Sequence, residues 1–213
     1  MWSTLLWDHD GVLVDTEGLY FQATREILAG VGVELSRALY KQLFLVEGQG
    51  AFHLAAARGS SALQIEALRA ARDARYAELL ARGDLLIPGA LALLSRLRPR
   101  FRMAIVTSSK RAHFDVIHRQ SGLPAQFELI LTREDYVHSK PEPEPYLRAV
   151  ERLAVAPAQC LVIEDSERGL HAAKAAGLAC WVVPSELTRD ADFVGADRRF
   201  EDLAALEHAL LGG

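Results

Sequence analysis

Short apolar runs recur along this chain at Thr4–Trp7, Phe101–Val106, Leu129–Leu131, Cys160–Ile163 and Ala179–Val183. They are brief, almost continuously apolar and bounded by turn residues, which predicts strands buried on both faces. Between the later runs the apolar residues switch to helical spacing. Ala90–Leu97 repeats leucine at helical intervals, Lys110–Gln120 stops at Ser121-Gly122, Pro143–Leu153 follows, and Glu167–Ala176 is closed by Gly177. Polar Asp190–Arg199 reads as a loop before a last helix at Phe200–Leu211. Strands alternating with helices predict an α/β fold, a parallel sheet covered on both sides.

Thr16–Pro88 breaks the alternation and reads as helices only: Gly18–Leu28, Ser36–Phe44, Ala51–Arg58 and Ala62–Arg82. Leu63, Ala67, Ala70 and Ala74 share one face of the last, and the charges scattered over the rest read as a solvated face. The breaker Ile87-Pro88-Gly89 marks the return. The expected organisation is therefore a core of residues 1–15 and 89–213, with a helical module of residues 16–88 spliced in after the first strand and seated over that strand's end.

Length and composition restrict the function more than they specify it. A chain of 213 residues is one domain, or one domain carrying an inserted module. With 50% hydrophobic and 24% charged residues it has the makeup of a soluble globular protein. A net charge of −4 offers no basic footprint for nucleic acid. Cys160 and Cys180 both lie in apolar runs, which predicts buried free thiols rather than a disulfide or zinc framework. No run is long enough to span a bilayer and the start does not read as a leader, so the cytoplasm is the expected location.

Four stretches carry candidate chemistry. In Trp7-Asp8-His9-Asp10-Gly11 an apolar strand ends in two carboxylates and a glycine. Carboxylates at the carboxyl end of a parallel strand sit where open α/β sheets bind ligands, and two so close need a cation, a proton or a cationic side chain between them. Thr107-Ser108-Ser109 ends a second strand in hydroxyls suited to phosphate oxygens, or to capping the next helix. Lys140 precedes Pro141-Glu142-Pro143, a turn that restricts its backbone, and otherwise reads as a solvated loop lysine. Glu164-Asp165-Ser166 repeats the opening design, with Asp165 or Ser166 available as a helix cap and the acidic pair suited to a hard cation such as Mg²⁺. In a parallel sheet these strand ends converge on one rim.

In order and spacing, these motifs resemble the haloacid dehalogenase-like phosphohydrolases, nearest the group of phosphoglycolate phosphatase, sugar-phosphate phosphatases and β-phosphoglucomutase. The likeness runs from Leu5 to Leu206 through Asp8-His9-Asp10-Gly11-Val12-Leu13-Val14-Asp15-Thr16-Glu17, Thr107, Lys140-Pro141, and Glu164-Asp165-Ser166 with Gly169 and Gly177. It implies a Rossmann-like core with the first strand central, a helical cap, a monomer, and hydrolysis of a small phosphorylated metabolite. By that analogy Asp8 attacks phosphorus and Asp10 protonates the leaving alcohol, then deprotonates water. Mg²⁺ is held by Asp8, the carbonyl of Asp10 and Asp165, with Glu164 ligating or supporting. Thr107 donates to the phosphoryl group and Lys140 steadies Asp8. An acid in that role, among negative neighbours, is expected to have a raised pKa.

The departures concern specificity. His9 stands where this group usually carries Phe or Leu; its ring either contacts substrate or packs under the cap. Tyr20 stands where the mutases typically carry histidine. Glu47-Gly48-Gln49-Gly50-Ala51-Phe52-His53 lies where related caps carry substrate-selecting residues, or is only a helix-helix turn with His53 on a helix face, and it lacks the arginine typical of the mutase cap. Ser108, Gln49, His53 and His9 are the candidate substrate contacts. A phosphomutase, and a binding protein that has lost turnover, remain as other readings.

Overall fold

Six parallel strands form one sheet in the computed structural model, which describes residues 2–212. They are β1 (Thr4–Trp7), β2 (Arg102–Val106), β3 (Leu129–Leu131), β4 (Cys160–Glu164), β5 (Ala179–Val182) and β6 (Arg198–Arg199), in the order β3-β2-β1-β4-β5-β6. β1 is central: Leu5 lies between Met103 and Leu161. Every residue of β1 is buried, as a strand covered on both faces requires.

Period-two alternation sorts the strand residues into two cores. Leu5, Trp7, Met103, Ile105, Leu161 and Ile163 point to one face, covered by α5 (Ala90–Leu97), Phe114 of α6 (Arg111–Ile117) and α9 (Leu203–Leu211). Leu6, Ala104, Val106, Val162 and Cys180 point to the other, against α7 (Glu144–Leu153) and α8 (Glu167–Ala175). Full burial of each large apolar side chain contributes roughly 1.5–3 kcal/mol. Cys160 and Cys180 are free and buried. Among the described residues no helix is long and apolar enough to cross a membrane.

The helices between β1 and α5 are α1 (Glu17–Ala29), α2 (Arg37–Tyr40), α3 (Phe52–Ala57) and α4 (Ala62–Leu80). They share apolar clusters of their own, around Leu28, Tyr40 and Phe52 and around Ala23, Tyr76 and Leu79. The chain enters and leaves this bundle through paired crossings: Asp15 N–H donates to Leu85 O at 2.8 Å and Ile87 N–H to Leu13 O at 3.0 Å. Lys110 Nζ donates to Asp73 Oδ2 at 2.6 Å and Arg37 meets Glu186 at 2.6 Å, seating the bundle on the core.

Three local expectations are corrected. The helix expected over Ser36–Phe44 is the short α2 continued by a π-helical segment, Lys41–Val46. Within the loop expected at Asp190–Arg199, Arg198–Arg199 pairs with β5 as an edge strand. On α4 the faces are exchanged: Leu63 is 81% exposed and Ala67, Ala70 and Ala74 face solvent, whereas Arg72, Tyr76, Leu79 and Leu80 are buried. Alanine offers little apolar area, so the face bearing the large side chains is the one that packs. The helix start follows local rules, with Ser61 and Gln64 forming a capping box.

Candidate active site

The carboxyl ends of β1, β2 and β4 meet the loop before α7 at one point. Asp8 extends β1 by one ladder bond, its N–H to Ile163 O at 2.8 Å. Lys140 Nζ, almost completely buried, donates to Asp8 Oδ1 at 2.7 Å, Glu164 Oε1 at 2.6 Å and Val106 O at 2.9 Å. All three ammonium protons are therefore used, and the loop-lysine alternative is excluded.

Glu164 is fully buried and receives five donors. Lys140 and the Tyr146 hydroxyl bind Oε1; the N–H groups of Asp165 and Ser166 and the Ser166 hydroxyl bind Oε2. The Ser166 oxygen also accepts from Gly169 N–H at 3.1 Å, so Ser166 is the α8 cap and Asp165 stays free of that role. Two glycines make room for these carboxylates. A Cβ on Gly169 would stand 1.8 Å from Glu164 Oε1, and one on Gly11, at φ +87°, would stand 2.1 Å from Asp165 Oδ2.

Asp8, Glu164 and Asp165 bring one oxygen each to within 4.8 Å of one another. Three buried carboxylates against one ammonium leave the cluster short of positive charge. Burial, then repulsion from Glu164, pushes the Asp8 pKa up to about 7 despite Lys140. Burial, then Asp8 and Glu164, raises Asp165 well above the usual carboxylate range. Against its own burial, Lys140 holds Glu164 down. A hard oxygen set, an unmet negative charge and the Gly11 opening beside Asp165 fit a divalent cation such as Mg²⁺. Five donors already occupy the two Glu164 oxygens, which leaves Asp8 and Asp165 as the less encumbered carboxylates of the cluster.

Asp10 points away from that cluster. Its carboxylate accepts from Thr16 at 2.5 Å on Oδ1, and on Oδ2 from Thr107 at 3.0 Å, Ser109 at 2.8 Å and His9 Nδ1 at 3.2 Å. Helix α6 has Lys110 at its N-cap with no side-chain cap bond, so neither Thr107 nor Ser109 is used as its cap. The expected rise in the Asp10 pKa is not met. Burial does oppose ionisation, but charge interaction with His9 and hydrogen bonds from His9, Thr16 and Ser109 hold the carboxyl below its usual range. Ser109, one of the three strand-end hydroxyls, is spent on Asp10, a partner the sequence does not indicate.

A cleft of about 400 Å³ opens above Asp10 between core and helical bundle. Gln49, His53, Tyr20 and Ser108 all line it, so three of the four candidate substrate contacts reach its wall. His9 does not. Its ring is fully buried, 5.0 Å from the Phe114 ring and 4.9 Å from that of His118, so of the two alternatives it packs, against α6, and does not line the cleft. Cations line the cleft that the sequence pattern had assigned to solvent or left unremarked: Arg69, Arg72, Lys110, Arg133 and Arg168. Arg72 lies 4.6 Å over the Tyr20 ring and pairs with Asp73 at 2.7 Å. Ser108 Oγ and Arg168 Nε are buried with no hydrogen-bond partner, an arrangement a polar ligand would complete.

A family model described as haloacid dehalogenase-like hydrolase matches residues 2–177. Protein CbbY of Rhodobacter capsulatus is 38% identical over 215 residues, covering 95% of this chain and 94% of that protein. A phosphorylated carbohydrates phosphatase of Thermotoga maritima is 31% identical over 83% of this chain and 82% of its own length. Among solved structures, a mutant CbbY of Rhodobacter sphaeroides in complex with xylulose-(1,5)bisphosphate superimposes with a TM-score of 0.83 at 30% identity, covering 97% of this chain and 96% of that one.

Proposed function

The chain belongs to the haloacid dehalogenase-like hydrolases, a phosphoric monoester hydrolase by its kinship, and we propose that it is a Mg²⁺-dependent phosphatase of a small phosphorylated carbohydrate, acting through an aspartyl-phosphate on Asp8. The observation that carries this is the Asp8 carboxylate at the rim, one oxygen held by Lys140, with Asp165 on one side and the Asp10–Thr107–Ser109 cluster on the other. Residues 16–88 form the cap and residues 1–15 and 89–213 the catalytic core.

A carboxylate and a phosphate repel, and bound Mg²⁺ supplies the charge that lets them approach. Asp8 and Asp165 offer side-chain oxygens to the ion and Asp10 its carbonyl. Lys140 fixes Asp8 Oδ1, which leaves Oδ2 for attack in line with the leaving oxygen. Thr107 and Ser108 donate to the phosphoryl oxygens as charge builds there. When the phosphoryl group draws the Thr107 hydroxyl away from Asp10, that carboxyl loses a donor and gains an anionic neighbour. Both changes raise its proton affinity towards what a general acid needs. Asp10 then protonates the departing alcohol and, in the second step, takes a proton from the water that hydrolyses the acyl phosphate.

The cleft supports a carbohydrate ligand. Arginines suit anionic groups, while Gln49, His53 and Glu17 offer the donors and acceptors that hydroxyls require. Phosphate release from a panel of sugar mono- and bisphosphates and phosphoglycolate, with Mg²⁺ and with chelator, tests the reading. The expected result is metal-dependent turnover on a sugar phosphate and a loss on the order of 10⁴-fold or more in Asp8→Asn. Undiminished turnover in that variant rejects the nucleophile, and isomer formation in place of phosphate release assigns a mutase.

A further inference from the structure

His9 continues into a chain of polar side chains, buried at His118 and half-buried at Ser121, that the reaction as described does not use. Its Nδ1 lies 3.2 Å from Asp10 Oδ2, and its Nε2 lies 2.7 Å from Nε2 of His118. The other nitrogen of His118, Nδ1, lies 2.7 Å from Ser121 Oγ. Ser121 Oγ in turn accepts from Leu123 N–H at 3.2 Å. Phe114 walls the chain, its ring 4.5 Å from that of His118.

The hydrogen-bond direction follows from its two ends. An ionised carboxylate only accepts, so His9 Nδ1 must carry the proton it shares with Asp10. At the far end the Ser121 oxygen accepts from Leu123 N–H, and its hydroxyl proton is available to His118 Nδ1. With both rings neutral, His118 carries its proton on Nε2 and gives it to the unprotonated Nε2 of His9. Two facing ring nitrogens at 2.7 Å allow one proton between them when both rings are neutral, and this assignment places it without conflict.

We infer that His118 and Ser121 are positioning residues for the reaction proposed above. They lock His9 in its Nδ1–H tautomer, and that N–H holds the Asp10 carboxylate in the orientation from which it serves the leaving group. The inference rests on Asp10 being the acid of that reaction. His118 sits on the core side, reaches Asp10 only through His9 and does not line the substrate cleft.

The test separates orientation of the acid from general damage. Alkyl phosphates need a proton on departure, whereas p-nitrophenyl phosphate has a leaving group that departs without one. In His118→Phe, which keeps a flat ring beside Phe114, kcat/KM for an alkyl phosphate is expected to fall about tenfold or more. For p-nitrophenyl phosphate it should stay within about twofold. His118→Gln, whose amide N–H can reach the position of the lost Nε2–H, should recover most of the loss. Long-range ¹H–¹⁵N spectra of the wild-type imidazoles should show His9 protonated on Nδ1 and His118 on Nε2, a readout that needs no variant to fold. Equal losses on both esters in His118→Phe, or a His9 ring protonated only on Nε2, overturn the inference. If Asp10→Asn abolishes alkyl phosphate turnover while His118→Phe leaves it intact, only the positioning role fails. If Asp10→Asn leaves it intact, the acid assignment itself fails.

Discussion

The sheet rim and the helical cap face each other across one cleft, and they are built by different rules. At the rim, Asp8, Thr107, Glu164 and Lys140 sit on strand ends or a short loop and are nearly or wholly buried, Lys140 bonding Asp8 and Glu164 while Thr107 bonds Asp10. Their placement follows from the backbone, because a parallel sheet delivers its carboxyl ends to one edge. On the cap, Gln49 lies in a glycine-rich bend, His53 follows it at the start of α3, and Arg69 and Arg72 project from a helix. Their positions depend on how the bundle packs on the core. A rigid rim suits chemistry common to many substrates, and a separately packed cap suits discrimination among them.

The sharpest way to break this contrast is at Lys140. Lys140→Met leaves Asp8 and Glu164 buried without their shared cation, and removing one partner of such a set costs about 3–5 kcal/mol. Chemical denaturation should record a loss of that size together with near-complete loss of turnover. A variant with wild-type stability would show that the ammonium is not what balances the rim.

Next in size is the response to pH and metal. Asp8 has a folded pKa of about 7, above its value of 3.8 when unperturbed. A raised folded pKa means the ion-free native state keeps a proton that the unfolded state has lost, so this group's contribution to stability declines as pH rises from about 4 to 7. A divalent ion must displace that proton. Its apparent affinity should weaken about tenfold per pH unit below about 7, and the rise in Tm on adding Mg²⁺ should be larger at pH 7.5 than at pH 5.5. An equal shift at both values would mean that no buried carboxyl is released by the ion.

On the cap side the effects are smaller. Arg69→Ala removes one cleft cation that is half exposed and lies over the Phe52 ring; KM for the sugar phosphate should rise about threefold to tenfold with kcat little changed. A fall in kcat with unchanged KM would move Arg69 from the cap's role to the rim's. Smallest of all, Leu63→Lys on the solvent face of α4 should change stability by less than about 0.5 kcal/mol, although the residue is a leucine at helical spacing. A loss above about 2 kcal/mol would restore Leu63 and its alanines as a packing face.

How much could be read in advance divides along the same line. The five longer strands, the interrupted alternation and the motifs at Asp8, Thr107, Lys140 and Glu164-Asp165 are local patterns, visible because burial on both faces and strand-end chemistry leave short signatures. The faces of α4 were misassigned because alanine periodicity alone does not say which side a larger ring such as Tyr76 will choose. His9 was uncertain because nothing in its neighbourhood along the chain announces His118, 109 positions away. The Asp10 carboxyl is expected to hold its proton more tightly, and does the opposite, because His9 beside it and then the Thr16 and Ser109 hydroxyls outweigh burial.

From the chain alone came a central strand ending in two carboxylates, the kind of reaction such an end serves, and the place where helices interrupt the core. These are consequences of residue type and spacing, which act over a few positions. Tertiary structure alone decided which nitrogen of His9 meets Asp10, which oxygens stay free for an ion, and which arginines turn into the cleft. Each of those depends on groups far apart in sequence meeting within about 3 Å, a range at which hydrogen bonding and burial, rather than composition, set the charge on every side chain.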